Sequence, residues 1–438
     1  MSIPEGLVNI LPETARVGPG DRLVIGGCDL VELAKEHGTP LYLFDEETLR
    51  RRCREFVGEF SGRYPKVQVL YACKAYVNPA LVNLFQEEGV GLDVVSAGEI
   101  MIARSVGFPM ERVYFHGNNK TPQELELAVS LGLGRIVVDS FYELELLERI
   151  AGEQGKRMSI LLRLSPGIDP HTHAKTTTGI IDSKFGFPIA TGQAEEAVWT
   201  ALNRPHLELV GLHCHLGSPI FEVEPYAQAL EVLLEFIQYI EAMYHFQLRE
   251  LSPGGGFAIQ YVPETPPPDI AQYAETITSN IKSWLGSREV PLLVIEPGRS
   301  IVGRAGVALY TVGASKDVPG VRKFVSLDGG MGDNIRPAIY GSRYVAVVAN
   351  RVSAPAEEKV TLAGKYCESG DLLIQDIDLP YLQAGELIAI PASGAYCLSM
   401  ASNYNASLRP PILLLKDGKA RLIRRRETFE DLMRCDVW

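Results

Sequence analysis

The sequence lacks the features that mark several specialised classes of protein. No apolar run approaches the roughly 18 residues that span a bilayer, and the start has no basic stretch followed by an apolar one. Positive charge is also in deficit, with 42 Lys and Arg against 54 Asp and Glu. An acidic chain is a poor ligand for a phosphate backbone. We therefore expect a cytoplasmic protein that binds neither nucleic acid nor a membrane.

Cysteine is scarce and has no pattern. The seven cysteines are an odd number and include no Cys-x-x-Cys pair, which excludes a disulfide framework and a zinc ribbon. The chain also lacks a nucleotide P-loop, a dinucleotide fingerprint and any repeat of solenoid period. We expect most of the cysteines to be small buried apolar residues.

Short apolar runs do alternate with helical patterns between residues 67 and 299. Eight such runs predict eight parallel βα units, and hence a closed (β/α)8 barrel. The eight runs are residues 67–73, 91–95, 112–116, 135–139, 159–164, 209–215, 248–252 and 292–295. The remaining sequence has a short amphipathic helix at 29–37 and β-like runs at 307–312, 344–348, 372–374 and 412–415. We expect a barrel domain at 39–304 and a second, mainly β domain formed by 1–38 and 305–438.

Chemically reactive residues follow several of the predicted strands, and (β/α)8 barrels place their chemistry at that rim. Lys74 follows the first strand, Gly254-Gly255-Gly256 follow the seventh and Glu296 follows the eighth. Ser96 and Asp139 occupy similar positions, where a helix N-cap is the simpler interpretation. Adjacent glycines can wrap a small phosphate, and a carboxylate can keep a pyridine nitrogen protonated. A lysine able to form an imine completes the pattern expected for pyridoxal 5′-phosphate (PLP).

A pair of histidines leaves one alternative open. His213 and His215 are two residues apart and are expected on the same face of a strand. Such a pair also binds divalent metal in barrel hydrolases, and His171 and His173 offer further ligands. The metal interpretation leaves Lys74 and the glycines unexplained. We therefore expect no metal and a histidine ring that stacks on the cofactor.

Longer motifs carry a resemblance to a known family. They are Tyr71-Ala72-Cys73-Lys74-Ala75, the run Gly211 to Ser218, Gly254 to Gly256, Glu296-Pro297-Gly298-Arg299, the run Asp328 to Gly341, Cys367-Glu368-Ser369-Gly370-Asp371, and the run Gly394 to Asn405. In this order, and over nearly the whole chain, they resemble the fold-type III, alanine-racemase-like PLP decarboxylases.

The resemblance implies a role for each candidate site residue. Lys74 would carry PLP covalently, and Cys367 would donate the proton. The cofactor would be bound by Lys74, His215, Ser218, Gly255, Gly256, Glu296, Gly298, Arg299 and Tyr396. The substrate would be bound by Arg299, Arg336, Tyr340, Glu368 and Tyr396. In relatives the Cys367 segment comes from a second subunit, which implies a homodimer with shared active sites to which the β-rich domain contributes.

The expected substrate has amino-acid groups at both ends. Fixed charges at the far end, an arginine for a carboxylate and Glu368 for an ammonium group, suit meso-2,6-diaminopimelate, which would yield L-lysine and CO2. The alternative substrates within the family are ornithine, arginine, carboxynorspermidine and a carrier-bound glutamyl group. A noncatalytic regulatory homologue is an alternative of another class. Two residues depart from the family pattern: Tyr76 stands where Asn is usual, and Cys397 where glycine is usual.

Overall fold

The computed structural model describes residues 3–170, 172 and 176–438 of the chain. The chain divides into two compact units. The barrel unit comprises Arg52–Ala258 and Pro267–Gly298, and the β unit comprises Met1–Arg51, Ile259–Pro266 and Arg299–Trp438. No helix in the described part of the chain is long and apolar enough to cross a membrane.

Eight parallel strands form the barrel. They are β1 Val67–Ala72, β2 Gly91–Val94, β3 Val113–Phe115, β4 Arg135–Val138, β5 Met158–Ser165, β6 Leu207–Cys214, β7 Glu250–Ser252 and β8 Leu292–Ile295. Each strand pairs with the next, and β8 pairs with β1, so the sheet closes on itself. A two-residue strand, Phe187–Pro188, adds to β5. The predicted (β/α)8 barrel is confirmed.

Helices connect successive strands, as parallel pairing requires. They are Pro79–Glu87, Ala97–Ser105, Pro122–Leu131, Phe141–Glu153, Gln193–Leu202, Glu224–Tyr244 and Ile270–Leu285. Side-chain caps define where several of them begin, and Ser96 is one of these caps, as the sequence indicated. Asp139 is not a cap, because Ser140 caps that helix. Asp139 instead accepts a hydrogen bond from the Gly186 N–H at 2.7 Å and lies 3.7 Å from Arg163.

A polar cluster around the buried Glu250 connects three strands at the end of the barrel where they begin. Glu250, the first residue of β7, accepts hydrogen bonds from Arg135 Nε at 2.9 Å and from the Tyr114 hydroxyl at 3.0 Å. Next to it lies an apolar cluster that includes Leu70 and Val294. The barrel interior is therefore packed and fixes the positions of the strands whose other ends carry the candidate site.

The β unit is built on a second sheet. Its strands are Leu41–Asp45, Gly306–Val318, Arg322–Leu327, Val347–Val348, Glu358–Ala363, Leu372–Leu379, Leu387–Ile390, Ile412–Lys416 and Lys419–Arg424. Three short strands, Arg16–Val17, Leu23–Ile25 and Cys28–Asp29, form a separate sheet. The helices of this unit are Leu30–His37, Arg299–Val302, Arg336–Tyr340 and Phe429–Met433, and Glu46–Ser61 begins in it. The predicted mainly β second domain is confirmed.

The ends of the β unit differ from the expected domain boundaries. Leu41–Asp45, expected in the barrel domain, pairs with Gly306–Val318 and with Ile412–Lys416. Apart from the Tyr42 hydroxyl, this strand is apolar up to Asp45 and buried on both faces, so it has no alternating pattern to distinguish it from a barrel strand. The short helix Leu30–His37 forms as expected, with Asp29 as its N-cap and Gly38 at φ 68° just after it.

We expect Glu250→Ala to lower the free energy of unfolding by about 3 kcal/mol, because it leaves Arg135 and the Tyr114 hydroxyl without their shared acceptor. Urea denaturation followed by circular dichroism measures this loss. The control is Glu153→Ala, since Glu153 pairs with Arg149 through side chains that are both 60% exposed. That change should stay within about 0.5 kcal/mol. Equal effects of the two variants would contradict a role for Glu250 in fixing the strands.

Candidate active site

Polar side chains converge at the rim where the barrel strands end. Lys74 is exposed and lies in the short turn Cys73–Ala75, directly after β1. Glu296 directly follows β8, and His116 directly follows β3. Asp93 lies in β2 and His213 in β6, one residue before each strand ends. The parallel barrel thus brings residues that are up to 222 positions apart in sequence to the same rim.

Glu296 is the centre of this group. Its Oε2 lies 3.0 Å from His213 Nε2, and its Oε1 accepts a hydrogen bond from the Ser252 hydroxyl at 2.8 Å. His116 Nε2 lies 3.6 Å from Oε1 of the same carboxylate. Glu296 and His213 are both buried, at 5% and 1% exposed. Both carboxylate oxygens therefore have a polar partner, which a buried charge requires.

The surroundings move the pKa values of neighbouring groups in opposite directions. Burial alone would raise the pKa of Glu296, but its interactions with His213, His116 and Ser252 outweigh burial and hold it below its ordinary value. Burial lowers the pKa of His116 well below the usual range. Burial also raises the pKa of Asp93 to about 8, against the opposing effect of Lys74. At neutral pH the site thus contains an ionised Glu296 beside a neutral His116 and a protonated Asp93.

His215 lies beyond the end of β6, which stops at Cys214, so the expectation of two histidines on one strand face is wrong. The Nδ1 of His215 accepts a hydrogen bond from the Gly255 N–H at 3.2 Å. Burial lowers the pKa of His215 well below its ordinary value, which leaves a neutral ring. A neutral planar ring held from one edge is suited to stacking against another ring.

Close packing requires glycine in the loop after β7. A Cβ at Gly255 would lie 2.1 Å from the Glu296 carbonyl oxygen, and one at Gly254 would lie 2.5 Å from the Cys214 carbonyl oxygen. Gly254 and Gly256 also have φ values of 80° and 106°. The Gly254 N–H donates to the Ser252 hydroxyl at 3.1 Å. The loop therefore supports Glu296 and His215 directly, in addition to any contact with a phosphate.

A metal interpretation involves only one histidine of the expected pair. His116, His213 and Glu296 each offer one atom, and these atoms lie within 4.8 Å of one another. His215 is not part of this group, and His171 and His173 lie outside the described residues. In the structure two of these three residues, His213 and Glu296, already contact each other.

A second group of candidate residues lies within the β unit. Arg299 and Arg336 are 6% and 4% exposed, and each is the first residue of a short helix. The guanidinium carbon of Arg299 lies 4.8 Å from the centre of the Tyr396 ring. Tyr396 has a φ of 59°, which is rare for a large side chain and marks a backbone held in place by its surroundings. Tyr340 ends the helix Arg336–Tyr340 and is partly exposed.

Cys367 and Glu368 are both exposed. The loop that carries them is fixed at its base, because the Asp371 carboxylate accepts hydrogen bonds from Met331 N at 2.6 Å and Tyr366 N at 2.9 Å. The Cys367 N–H donates to Asn405 Oδ1 at 2.9 Å. The tip of this loop is thus held in an ordered conformation with its thiol and carboxylate facing outward from the chain.

Cys397, one of the two departures from the family pattern, is buried, and its sulfur lies 3.7 Å from the Tyr344 hydroxyl. Burial raises the pKa of this thiol to about 11, so it stays protonated at neutral pH. Tyr76, the other departure, is buried beside the Asn78 that caps the next helix. Neither substitution brings a new charge to its surroundings.

Several residues of these groups were not assigned a role from the sequence. Ser252 holds Glu296, and Tyr261 and Tyr344 contact the two arginines. Single tyrosines and serines have no characteristic spacing, so no sequence signal separates them from ordinary core residues. Asp93 and His116, near or directly after the ends of their strands, were likewise assigned no role.

The described groups of the barrel unit fit the expected cofactor. An exposed amine, an ionised buried carboxylate and a neutral imidazole ring are the groups that PLP would use. In addition, the buried atoms His213 Nδ1 and His116 Nε2 have no hydrogen-bond partner within the described residues. Ser218 and Gly298 lie in the same unit, after β6 and after β8.

Comparison with known proteins shows which family this chain resembles. Residues 46–303 match the family model described as the pyridoxal binding domain of pyridoxal-dependent decarboxylases. The diaminopimelate decarboxylase of Bacillus subtilis is 45% identical over 426 residues, which cover 97% of each chain. That of Actinosynnema pretiosum is also 45% identical, over 95% of this chain and 92% of its own.

Solved structures agree in fold over nearly the whole length. The diaminopimelate decarboxylase of M. jannaschii in complex with L-lysine has a TM-score of 0.92 at 34% identity and covers 98% of both chains. The Helicobacter pylori enzyme, also solved with L-lysine, has a TM-score of 0.85 at 33% identity, over 93% of this chain and 98% of its own.

The raised pKa of Asp93 gives a testable pH dependence. Folded Asp93 keeps its proton up to about pH 8, whereas the ordinary pKa is 3.8. Between these values the unfolded chain binds fewer protons, so this group lowers stability as pH rises. In cofactor-free protein, Asp93→Asn should therefore gain melting temperature over wild type progressively from pH 5 to pH 8. Glu153→Gln on the exposed surface is the control, and melting curves that stay parallel across this range would contradict a protonated Asp93.

Proposed function

This chain belongs to the family of pyridoxal-dependent decarboxylases, and we propose that it removes CO2 from meso-2,6-diaminopimelate to yield L-lysine. The observation that carries this proposal is similarity over nearly the full length, at 40–45% identity, to diaminopimelate decarboxylases. Two buried arginines in the β unit support it, because the far end of this substrate carries a carboxylate. The chain uses PLP as its cofactor.

Glu296 and His215 prepare the cofactor site. When bound, PLP would supply an electron sink for the pair that remains on the substrate when CO2 leaves, and it would do so best with its ring nitrogen protonated. Glu296 is suited to keep that nitrogen protonated, because His213 and Ser252 keep its carboxylate ionised and oriented. His215 presents the flat face of a neutral ring, oriented by the Gly255 N–H.

Lys74 carries the cofactor through its amine, which is exposed at the rim after β1. The residues proposed to bind the phosphate are Ser218, Gly255, Gly256, Gly298, Arg299 and Tyr396. Gly255 and Gly256 allow close approach because neither has a side chain. These assignments follow from the family motifs in which the residues occur.

Charged side chains recognise the end of the substrate that does not react. Arg336 and Arg299 bind the far carboxylate, since a guanidinium pairs with a carboxylate through two parallel hydrogen bonds. Tyr340 and Tyr396 complete this part of the site, and Glu368 binds the far ammonium group. Ornithine has no far carboxylate, so the buried arginines favour diaminopimelate over the alternative substrates.

Cys367 delivers the proton that replaces CO2. The thiol and the neighbouring Glu368 are exposed in this chain, on a loop whose base is fixed by Asp371. This arrangement supports a homodimer in which the loop of each subunit serves the active site of its partner. All seven cysteines are free, which supports a reducing compartment such as the cytoplasm.

The alternatives are less consistent with the residues present. A noncatalytic homologue has no need of Lys74 and Cys367, and both are there. A metal hydrolase would belong to a different family. Purified protein that contains stoichiometric zinc, with no cofactor trapped on Lys74 by borohydride, would contradict the proposal.

The direct test is product analysis with a panel of substrates. Wild-type protein with PLP should release L-lysine and CO2 from meso-2,6-diaminopimelate, and neither putrescine from ornithine nor agmatine from arginine. Lys74→Ala should abolish turnover and leave no cofactor attached to the protein after borohydride reduction, because it removes the amine that forms the bond. Full turnover by Lys74→Ala would contradict its assigned role, and putrescine as the main product would contradict the assigned substrate.

Cys367→Ala should bind PLP normally but lose most of its turnover, because protonation by a positioned group contributes about 100-fold or more. If active sites are shared, mixing Cys367→Ala with Lys74→Ala under subunit exchange should restore turnover. About a quarter of the wild-type rate is expected for random pairing into symmetric dimers. A mixture no more active than its better component would contradict shared sites.

A further inference from the structure

Two tyrosines hold the buried arginines of the β unit. Tyr261, Tyr344, Arg299 and Arg336 are each 8% exposed or less. They come from separate stretches of the chain, yet every one of them contacts at least one other member. We call this set the arginine cluster.

Tyr261 contacts both arginines. Its hydroxyl accepts a hydrogen bond from Arg299 Nη1 at 2.7 Å. The guanidinium carbon of Arg336 lies 4.8 Å from the centre of the same ring, and that of Arg299 lies 5.9 Å from it. One aromatic side chain therefore defines where both guanidinium groups lie.

Tyr344 fixes the orientation of Arg336. Arg336 Nη1 donates a hydrogen bond to the Tyr344 hydroxyl, and the guanidinium carbon lies 5.6 Å from the centre of the Tyr344 ring. The two tyrosine rings pack edge to face, with centres 5.4 Å apart and planes at 84°. The Cys397 sulfur lies 3.7 Å from the Tyr344 hydroxyl and packs against it. Arg336 is thus held by one ring through its face and by the other through a hydroxyl.

The arginine cluster keeps the positive charge of Arg336. Within the described residues Arg336 forms no ion pair with a carboxylate, and a guanidinium does not lose its proton in proteins. Tyrosine hydroxyls and ring faces stabilise the cation without neutralising it. An aspartate at either tyrosine position would bind Arg336 more strongly but would cancel the charge that an incoming anion needs.

We propose that Tyr261 and Tyr344 are positioning residues that set the selectivity for substrates with a far-end carboxylate. Both tyrosines hold Arg336, and Tyr261 also holds Arg299. The guanidinium groups are thereby kept in a fixed orientation suited to a planar carboxylate. This inference rests on the proposed function, because it assumes that these arginines meet the far end of the substrate. It assigns the selectivity to two neutral aromatic residues rather than to the charged pair alone.

The experiment compares two ligands that differ by one carboxylate. L-lysine and cadaverine share the same chain and two amino groups, but cadaverine lacks the carboxylate. Isothermal titration of the PLP-loaded enzyme gives a dissociation constant for each. Tyr344→Phe and Tyr261→Phe keep the rings and remove only the hydroxyl that accepts from an arginine. Each should weaken L-lysine binding about tenfold, the usual effect of losing a hydrogen bond to a charged group, and leave cadaverine within about twofold.

The matched control is Tyr64→Phe. Tyr64 is a buried tyrosine of the barrel unit whose hydroxyl donates to the Pro291 carbonyl oxygen at 3.1 Å. This variant loses a buried hydrogen bond but should leave the affinity for both ligands unchanged. Turnover provides a second measurement. Tyr344→Phe and Tyr261→Phe should each raise KM for meso-2,6-diaminopimelate about tenfold, while kcat changes less than about threefold. The reason is that these variants alter substrate binding rather than the chemical step.

Equal losses of affinity for L-lysine and cadaverine would overturn the proposal, as would no loss in either variant. A wild-type enzyme that binds L-lysine no more tightly than cadaverine would overturn it as well. A wild-type protein that fails to decarboxylate meso-2,6-diaminopimelate, while the two variants still lose L-lysine selectively, would refute the proposed function and leave the positioning role supported.

Discussion

The chemistry assigned to the barrel depends on a carboxylate that stays ionised in the protein interior. Burying Glu296 without partners would shift its pKa upward until it took up a proton. His213 and Ser252 prevent this by occupying both carboxylate oxygens. These partners lie on neighbouring strands of the barrel, so the charge of Glu296 depends on strand pairing, and strand pairing depends on a packed barrel interior.

The two units solve the problem of a buried charge in related ways. In the barrel unit, neutral or hydrogen-bonding side chains surround the Glu296 carboxylate, and Asp93 nearby remains protonated. In the β unit, two tyrosines hold the Arg336 guanidinium. The positive charge of Arg336 is stabilised without an ion pair to a carboxylate among the described residues. The charge is then available to a bound molecule, which is what recognition of a cofactor or a carboxylate requires.

Much of this arrangement was predictable from the sequence, and the reasons differ between residues. The eight strands were visible because buried parallel strands are short, continuous apolar runs separated by helical patterns. Lys74 and Glu296 were found because reactive residues directly after such runs lie at one rim. Ser252, Tyr261 and Tyr344 were not found, because their roles come from contacts across the sequence. The strand Leu41–Asp45 was not predicted for the same reason: its partners lie more than 260 residues away.

The sequence by itself determined the fold class, the cofactor and the order of the motifs, since these depend on local patterns of apolar residues, glycines and charges. Tertiary structure alone decided which groups hold those charges. His215 lies beyond its strand and contacts Gly255, the glycine loop is shaped by backbone contacts, and Arg336 is oriented by Tyr344 and Tyr261. The physical reason is that a pKa and a side-chain orientation depend on neighbours in space. Closure of the barrel and packing of the second sheet create those neighbours from segments far apart in the chain.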